Sequence, residues 1–273
     1  MNGQSCETWR LLCDPPMAGA RNMAVDEALL RTIGAGEAPP TLRLYDWQPP
    51  TLSLGFGQPL HDVDETRLEE HGWGLVRRLT GGRAILHTDE LTYSITLPIG
   101  HRLAQGSVIE SYRRISAALA AAAQNLGATT QAERAAERGA ASAVCFETPS
   151  HYELTVGGRK LAGSAQARRH DGLLQHGALP ISGDLGRIVD ALAFEDDAAR
   201  ERARARVEAR TITLSRAAGR LITWDEVADA LTHAVETEFS VCLERGELST
   251  AEATQAVRLE SETYGAREWT ARR

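Results

Sequence analysis

The 273 residues carry a formal charge of −7 with 42% hydrophobic and 25% charged side chains, the balance of a globular chain. The acidic surplus argues against general binding of nucleic acid or anionic membranes, which needs basic surface. No run approaches the roughly 18 apolar residues of a membrane span, and the start, MNGQSCETWR, lacks the basic and apolar regions of a secretion signal, so a cytoplasmic protein is expected. Cys6, Cys13, Cys145 and Cys242 are scattered without a CxxC pair. A disulfide framework or zinc site is therefore not expected, and each cysteine reads as a free thiol.

In chain order, WRLLCD reads as a first strand and PPMAGA as a breaker-rich loop. Asn22 reads as the N-cap of MAVDEALLRTIG, with Asp26 and Glu27 near the positive helix end and Gly34 as its stop. TLRLYDW and TLSLGF form two short runs confined by Pro39, Pro40, Pro49 and Pro50. A polar helix over residues 62–71 follows, then strands in WGLVRR, AILH and LTYSITLP, with TGGR as a turn. From Val108 the apolar positions Val108, Tyr112, Ile115, Leu119, Ala122 and Leu126 recur at helical spacing up to Gly127. Residues 130–143, alanine-rich and charged, predict a surface segment. After Ile181 the chain is helical in character, with capping boxes at Thr223/Glu226 and Ser249/Glu252. Strands early and helices late predict an α+β fold, a mixed and largely antiparallel sheet flanked by helices. The helices after residue 215 are too few to bury a core alone, so residues 1–273 are expected to form one domain with a helical carboxy-terminal portion.

The stretch from Cys145 to Gln166 concentrates the chemistry. HYELTV, a Gly-Gly turn and RKLAGSAQ predict a hairpin. Its small residues Gly163, Ser164 and Ala165 leave room for a ligand to approach, and Cys145 and Lys160 can share one cleft. A thiolate is both nucleophile and acyl carrier. A lysine beside it lowers its pKa and donates to a carbonyl oxygen that becomes negative. Arg77, Arg78 and Arg83 flank Gly81 and Gly82, whose freedom at positive φ lets backbone amides meet a carbonyl or phosphate. His87 is a candidate acid or base, whereas His176 reads as structural or pocket-lining. If Arg77, Arg78, Arg83, Arg159, Lys160, Arg168 and Arg169 converge, they make a basic mouth on an acidic protein.

CFETPSHYEL, GRKLAGSAQARR, LLQHGAL and RRLTGGRAILHTDELTYSITLP, with NMAVDEALL and PTLRLYDWQPPTLSLGFGQ upstream, resemble the lipoate and octanoate transfer family. The match is to its cysteine-bearing octanoyltransferase branch and runs from about Asn22 to about Ile181. The resemblance implies the biotin/lipoyl ligase fold and an acyltransferase without cofactor or metal. It implies that octanoate passes from acyl carrier protein, through an S-acyl Cys145, to a lysine of a lipoyl carrier (a glycine-cleavage H protein or an E2 lipoyl domain), with Lys160 assisting. It also implies that Arg77, Arg78, Gly81, Gly82, Arg83, His87, Gly163, Ser164 and Ala165 line the substrate site. An eight-carbon chain needs an apolar tunnel, for which Leu54, Leu79, Tyr93 and Leu173 are the candidate walls. The chain departs from the family in having Thr88 before Asp89, where an aspartate usually follows the histidine, and Arg83 where the ligase branch tends to have a third glycine. The competing readings are an amidotransferase between lipoyl carriers, an ATP-dependent lipoate ligase, and a non-catalytic carrier-binding protein.

Overall fold

The structure is a computed structural model that describes residues 6–133 and 153–272. Its first half alternates strands with two helices: β1 (Glu7–Cys13), α1 (Gly19–Gly34), β2 (Thr41–Tyr45), β3 (Thr51–Leu54), α2 (Glu65–Glu70), β4 (Gly74–Arg77), β5 (Ile85–His87) and β6 (Glu90–Pro98). The amphipathic α3 (Val108–Asn125) leads to β7 (Gln131–Glu133). Beyond residue 152 come β8 (Glu153–Val156), β9 (Arg159–Arg169), β10 (Gly172–Pro180), α4 (Asp197–Arg210), α5 (Leu214–Ala218), α6 (Trp224–Phe239), β11 (Val241–Arg245), α7 (Thr250–Leu259) and α8 (Arg267–Thr270).

The large sheet runs β11-β1-β2-β6-β10-β9-β8-β7, and a small one runs β4-β3-β5. In the large sheet β11, β1 and β2 are parallel, and every pairing from β2·β6 to β7·β8 is antiparallel. The fold is thus α+β with a largely antiparallel sheet, as the pattern predicts. Its middle strands β2 and β10 are buried along their whole length, because helices and the small sheet cover both faces.

The predicted hairpin forms. Gly157 and Gly158 both take positive φ, 56° and 71°, which a two-residue turn between twisted strands requires. The capping boxes at Thr223/Glu226 and Ser249/Glu252 are both made. In α3, Ile115, Leu119 and Ala122 face the core as expected, but Val108, in the first turn, is 52% exposed.

Three expectations are overturned. Helix α1 begins at Gly19 behind an extended Ala18, so Asn22 is not its cap. Asn22 is fully buried, donating to the carbonyls of Met17 and Asp46 and accepting from Arg43. Asp26 and Glu27 lie inside the helix and are buried, because each has partners that offset desolvation. VCLER, which lies between the two capped helices in a stretch expected to be helical in character, forms β11 beside β1. Cys6 and Cys242 are disulfide-bonded with Cα atoms 5.8 Å apart, since β1 and β11 pair in register from Glu7 and Val241 onward. Cys13 is free and exposed.

Candidate functional site

The central cavity has about 370 Å³ of empty space, open mouth included, and lies where the small sheet meets β9 and β10. Met23 of α1, Tyr45 and Trp47 of the β2 end, and Ile85 of β5 supply its apolar wall. Gly163, Ser164, Ala165 and Gly177 form its other side. Glycine is required at 177: a Cβ there would sit 2.3 Å from the Gly163 carbonyl oxygen. It is equally required at 55, where a Cβ would fall 1.9 Å from the Gly82 carbonyl oxygen, so the β3 end can pass directly under the glycine turn.

Among the residues proposed from sequence, Arg78, Gly82, His87, Gly163, Ser164 and Ala165 all line this one cavity. Gly81 and Arg83 flank Gly82, and their carbonyls accept from Arg78. Arg77 points elsewhere. It is fully buried and donates to the carbonyls of Gly55, Gln58 and Thr270, so it braces the turn from behind and is not part of the central cavity's lining. Lys160 is 3% exposed, not the surface side chain that a position just after a turn suggests. Its carbonyl accepts from Ile212 and its backbone bridges to Thr211, which brings the segment after α4 over it. Cys145 and the neighbouring His151 lie outside the described residues. The expected tunnel walls are core instead: Tyr93 and Leu173 pack in the main cluster, Leu54 beneath the small sheet and Leu79 against Leu30 and Leu174.

The basic mouth does not form as expected. Arg77, Arg78 and Lys160 are buried, and Arg168 is tied to the carbonyls of Ala104, Gly106 and Ser107. Buried guanidinium groups are held by carbonyls because an unpaired one would be prohibitively costly to desolvate. Arg169 stays exposed, its guanidinium 4.6 Å from the Phe56 ring centre, with Arg272 4.3 Å from the same ring.

Two polar chains run behind the cavity and fix its histidines. His87 Nδ1 is 2.5 Å from Glu90 Oε1 and its Nε2 is 2.7 Å from Ser53 Oγ, while the ring stacks on Trp47 at 4.0 Å. His176 Nδ1 is 2.9 Å from Asp26 Oδ2 and its Nε2 is 2.7 Å from Thr80 Oγ1. Both ring nitrogens of each histidine are therefore engaged within the protein. His87, considered as an acid or base, and His176 both line the cavity. Burial pushes the His176 pKa below the ordinary range, a pull that its hydrogen bond to Asp26 only partly opposes. Burial alone would raise Asp26, but His176 and Arg43 outweigh it and hold the carboxyl below its usual value. Asp26 also receives Arg43, Tyr45 and Ser94 at 2.8, 3.0 and 2.9 Å.

Sequence reasoning missed Asp26, Trp47, Ser53, Thr80 and Glu90. A signal existed for Asp26: Asn22, Asp26, Leu29 and Ile33 fall on one helical stripe, so a buried carboxylate needing cationic partners was legible. A second groove of about 870 Å³ runs between α3 and the β8–β9 edge, lined by Tyr112, Leu119, Leu154 and Ala162 among others, and shares Ser164 with the central cavity.

This architecture matches lipoate protein ligases. The bi-partite lipoate protein ligase of Thermoplasma acidophilum superposes with a TM-score of 0.81 at 22% identity, over 97% of this chain and 96% of that one. Lipoate-protein ligase A bound with ATP gives 0.79 at 22% identity, over 97% and 98%. The chain belongs to the lipoyl protein ligase A/B catalytic domain family, whose model matches residues 18–236. Within that family it is similar to octanoyltransferase LipM of Exiguobacterium sibiricum, 40% identical over 96% of this chain and 97% of that protein. It is likewise similar to octanoyltransferase LipM of Carboxydothermus hydrogenoformans, 42% identical over 96% and 98%.

Proposed function

We propose that the protein is an octanoyltransferase of protein lipoylation, with residues 1–273 working as one catalytic domain. It takes octanoate from acyl carrier protein and delivers it to a lysine of a lipoyl carrier, an H protein or an E2 lipoyl domain. The observation that carries this reading is the 40–42% identity to octanoyltransferases LipM over nearly the whole chain. The convergence of the glycine turn and Gly163–Ala165 on one cavity supports it.

In the first step the Cys145 thiolate attacks the thioester carbonyl carbon. The bond from that carbon to the donor's sulfur breaks, and the donor leaves as a thiol after taking up a proton. In the second step the uncharged lysine amine of the acceptor attacks the Cys145 thioester, an amide forms, and the cysteine sulfur leaves with the amine's proton. Splitting the reaction this way matches thioester to thioester before the downhill step to amide. Lys160 donates to the oxygen that becomes negative. The apolar wall of Met23, Trp47 and Ile85 takes the acyl chain, each buried methylene contributing about 0.8 kcal/mol.

The test needs no ATP. Octanoyl carrier protein mixed with the enzyme and no acceptor should add one octanoyl group to Cys145, removable by hydroxylamine, and a lipoyl domain should then discharge it onto a lysine. Cys145→Ala should abolish both. A requirement for ATP and free octanoate would replace this reading with the ligase one. Charging only from an octanoylated lipoyl carrier would replace the donor and make the enzyme an amidotransferase.

A further inference from the structure

Glu90, His87 and Ser53 have the atoms of a carboxylate–histidine–serine triad, yet no acyl group can reach this serine. Ser53 is fully buried in β3, and its Oγ is closed off by the Arg78 guanidinium 2.7 Å away. The direction of each bond shows what the chain does. Arginine only donates, so Ser53 Oγ accepts from Arg78, and its own hydrogen goes to His87 Nε2 at 2.7 Å in preference to the Ile85 carbonyl at 3.5 Å. The ring's Nδ1–H then donates to Glu90. Glu90 is fixed in turn by the Thr92 hydroxyl at 2.6 Å, and Thr92 by the Trp47 indole N–H at 2.8 Å.

At the other end, Arg78 Nη2 holds the carbonyls of Gly81 and Arg83 at 3.1 and 3.0 Å, while Nη1 holds the Ser53 carbonyl at 2.7 Å. In a trans peptide the N–H lies opposite the carbonyl. With the Gly81 carbonyl drawn onto Arg78, the Gly82 N–H is turned away from it, at a residue of φ 98° that lines the cavity.

We propose that Glu90, His87 and Ser53 are positioning residues that act through Arg78 to aim the Gly82 amide at the thioester carbonyl oxygen of the acyl group. The proposal rests on the transferase reading for what the amide meets, but its structural half does not. In this arrangement His87 transfers no proton; it is a spacer with one donor and one acceptor.

The test compares Ser53→Ala and Glu90→Gln with the wild-type protein. Ser53→Ala should slow single-turnover acylation of Cys145 about 100-fold, the scale of a misplaced oxyanion donor, while apparent donor affinity moves by less than about threefold. Glu90→Gln keeps an acceptor for the Nδ1–H, so it should lower the rate less than Ser53→Ala and leave the pH profile of acylation in place. A pH profile displaced by a unit or more in Glu90→Gln, or a wild-type rate in Ser53→Ala, would overturn the positioning role and make His87 an acid or base or a bystander. Backbone amide chemical shifts of Gly81–Arg83 in the free proteins separate this from failure of the transferase reading: Ser53→Ala should displace them, with the shifts of the distant strands β1 and β11 unchanged. Unchanged shifts at Gly81–Arg83 would overturn the clamp whatever the enzyme's substrate proves to be.

Discussion

At the scale of the residue, burial changes what a substitution at Lys160 means. A lysine 3% exposed contributes its aliphatic stem to packing as well as its charge. Lys160→Ala is therefore expected to slow acylation about 100-fold, the usual cost of losing an oxyanion donor, and also to lower stability by about 1–3 kcal/mol. Lys160→Met should recover most of the stability and little of the rate. Single-turnover acylation beside urea unfolding checks both, and a normal rate in Lys160→Met would remove the amine from the mechanism. Asp26 is a stricter case. It shares the fully buried Arg43 with Asp14, at 2.8 and 2.6 Å, and also accepts from Tyr45 and Ser94, so Asp26→Ala half-strips that guanidinium and strands two buried hydroxyls and should cost about 3–5 kcal/mol, read as a fall in the urea midpoint.

At the scale of the element, α8 is a brace for the glycine turn. The Thr270 carbonyl accepts Arg77 Nε and Nη2 at 3.0 and 2.7 Å, and the Trp269 indole donates to the Arg77 carbonyl at 2.9 Å. Arg77→Lys replaces a planar fork by a single ammonium and should destabilise the fold by about 2–4 kcal/mol with donor KM unchanged. A raised KM at unchanged stability would return Arg77 to the substrate site. The same element marks the limit of the sequence reading. Gly157-Gly158 between alternating runs, and the boxes at Thr223 and Ser249, declare themselves within a few residues because the hydrogen bonds involved are local. Arg77, Arg78 and Arg83 looked alike as a basic cluster, since Arg77 and Arg78 are set apart as brace and clamp by carbonyls 193 and 25 residues away, while Arg83 only offers its own carbonyl to Arg78. β11 was missed because its edge position leaves VCLER mostly exposed, erasing the apolar alternation that marks a strand.

At the scale of the whole molecule, charge and pH both act through named groups. Arg169 and Arg272, stacked on Phe56, have no carboxylate partner among the described residues, and Phe56 donates to the Thr80 carbonyl at 2.8 Å beside the glycine turn. On a chain of net charge −7 we propose this exposed basic pair as a contact for an acidic carrier. Arg169→Ala with Arg272→Ala should raise carrier KM at low salt, with the gap to wild type closing at about 0.5 M salt; an equal gap at both would exclude a steering role. For pH, His176 has its folded pKa depressed by burial, so the unfolded chain takes up that proton first. Stability is full above about pH 6.5 and is lost as pH falls from there toward the lowered folded value, with a slope of at most about 1.4 kcal/mol per unit for this group. His176→Asn, which keeps a donor toward Asp26, should flatten that slope in urea titrations between pH 8 and 5.

The clamp on Arg77 also sets an order in time. Arg77 and its acceptor at Thr270 are separated by 193 residues, and at the ~5–20 residues per second of protein synthesis the arginine waits roughly 10–40 s for that carbonyl to be made. Until then the nascent chain holds a glycine turn without its brace and β1 without its neighbour β11, whose first paired residue is Val241. The brace is therefore among the last contacts of the described fold to become available: a nascent chain stalled before α8 should be cut faster at the glycine turn by limited proteolysis than one that includes α8.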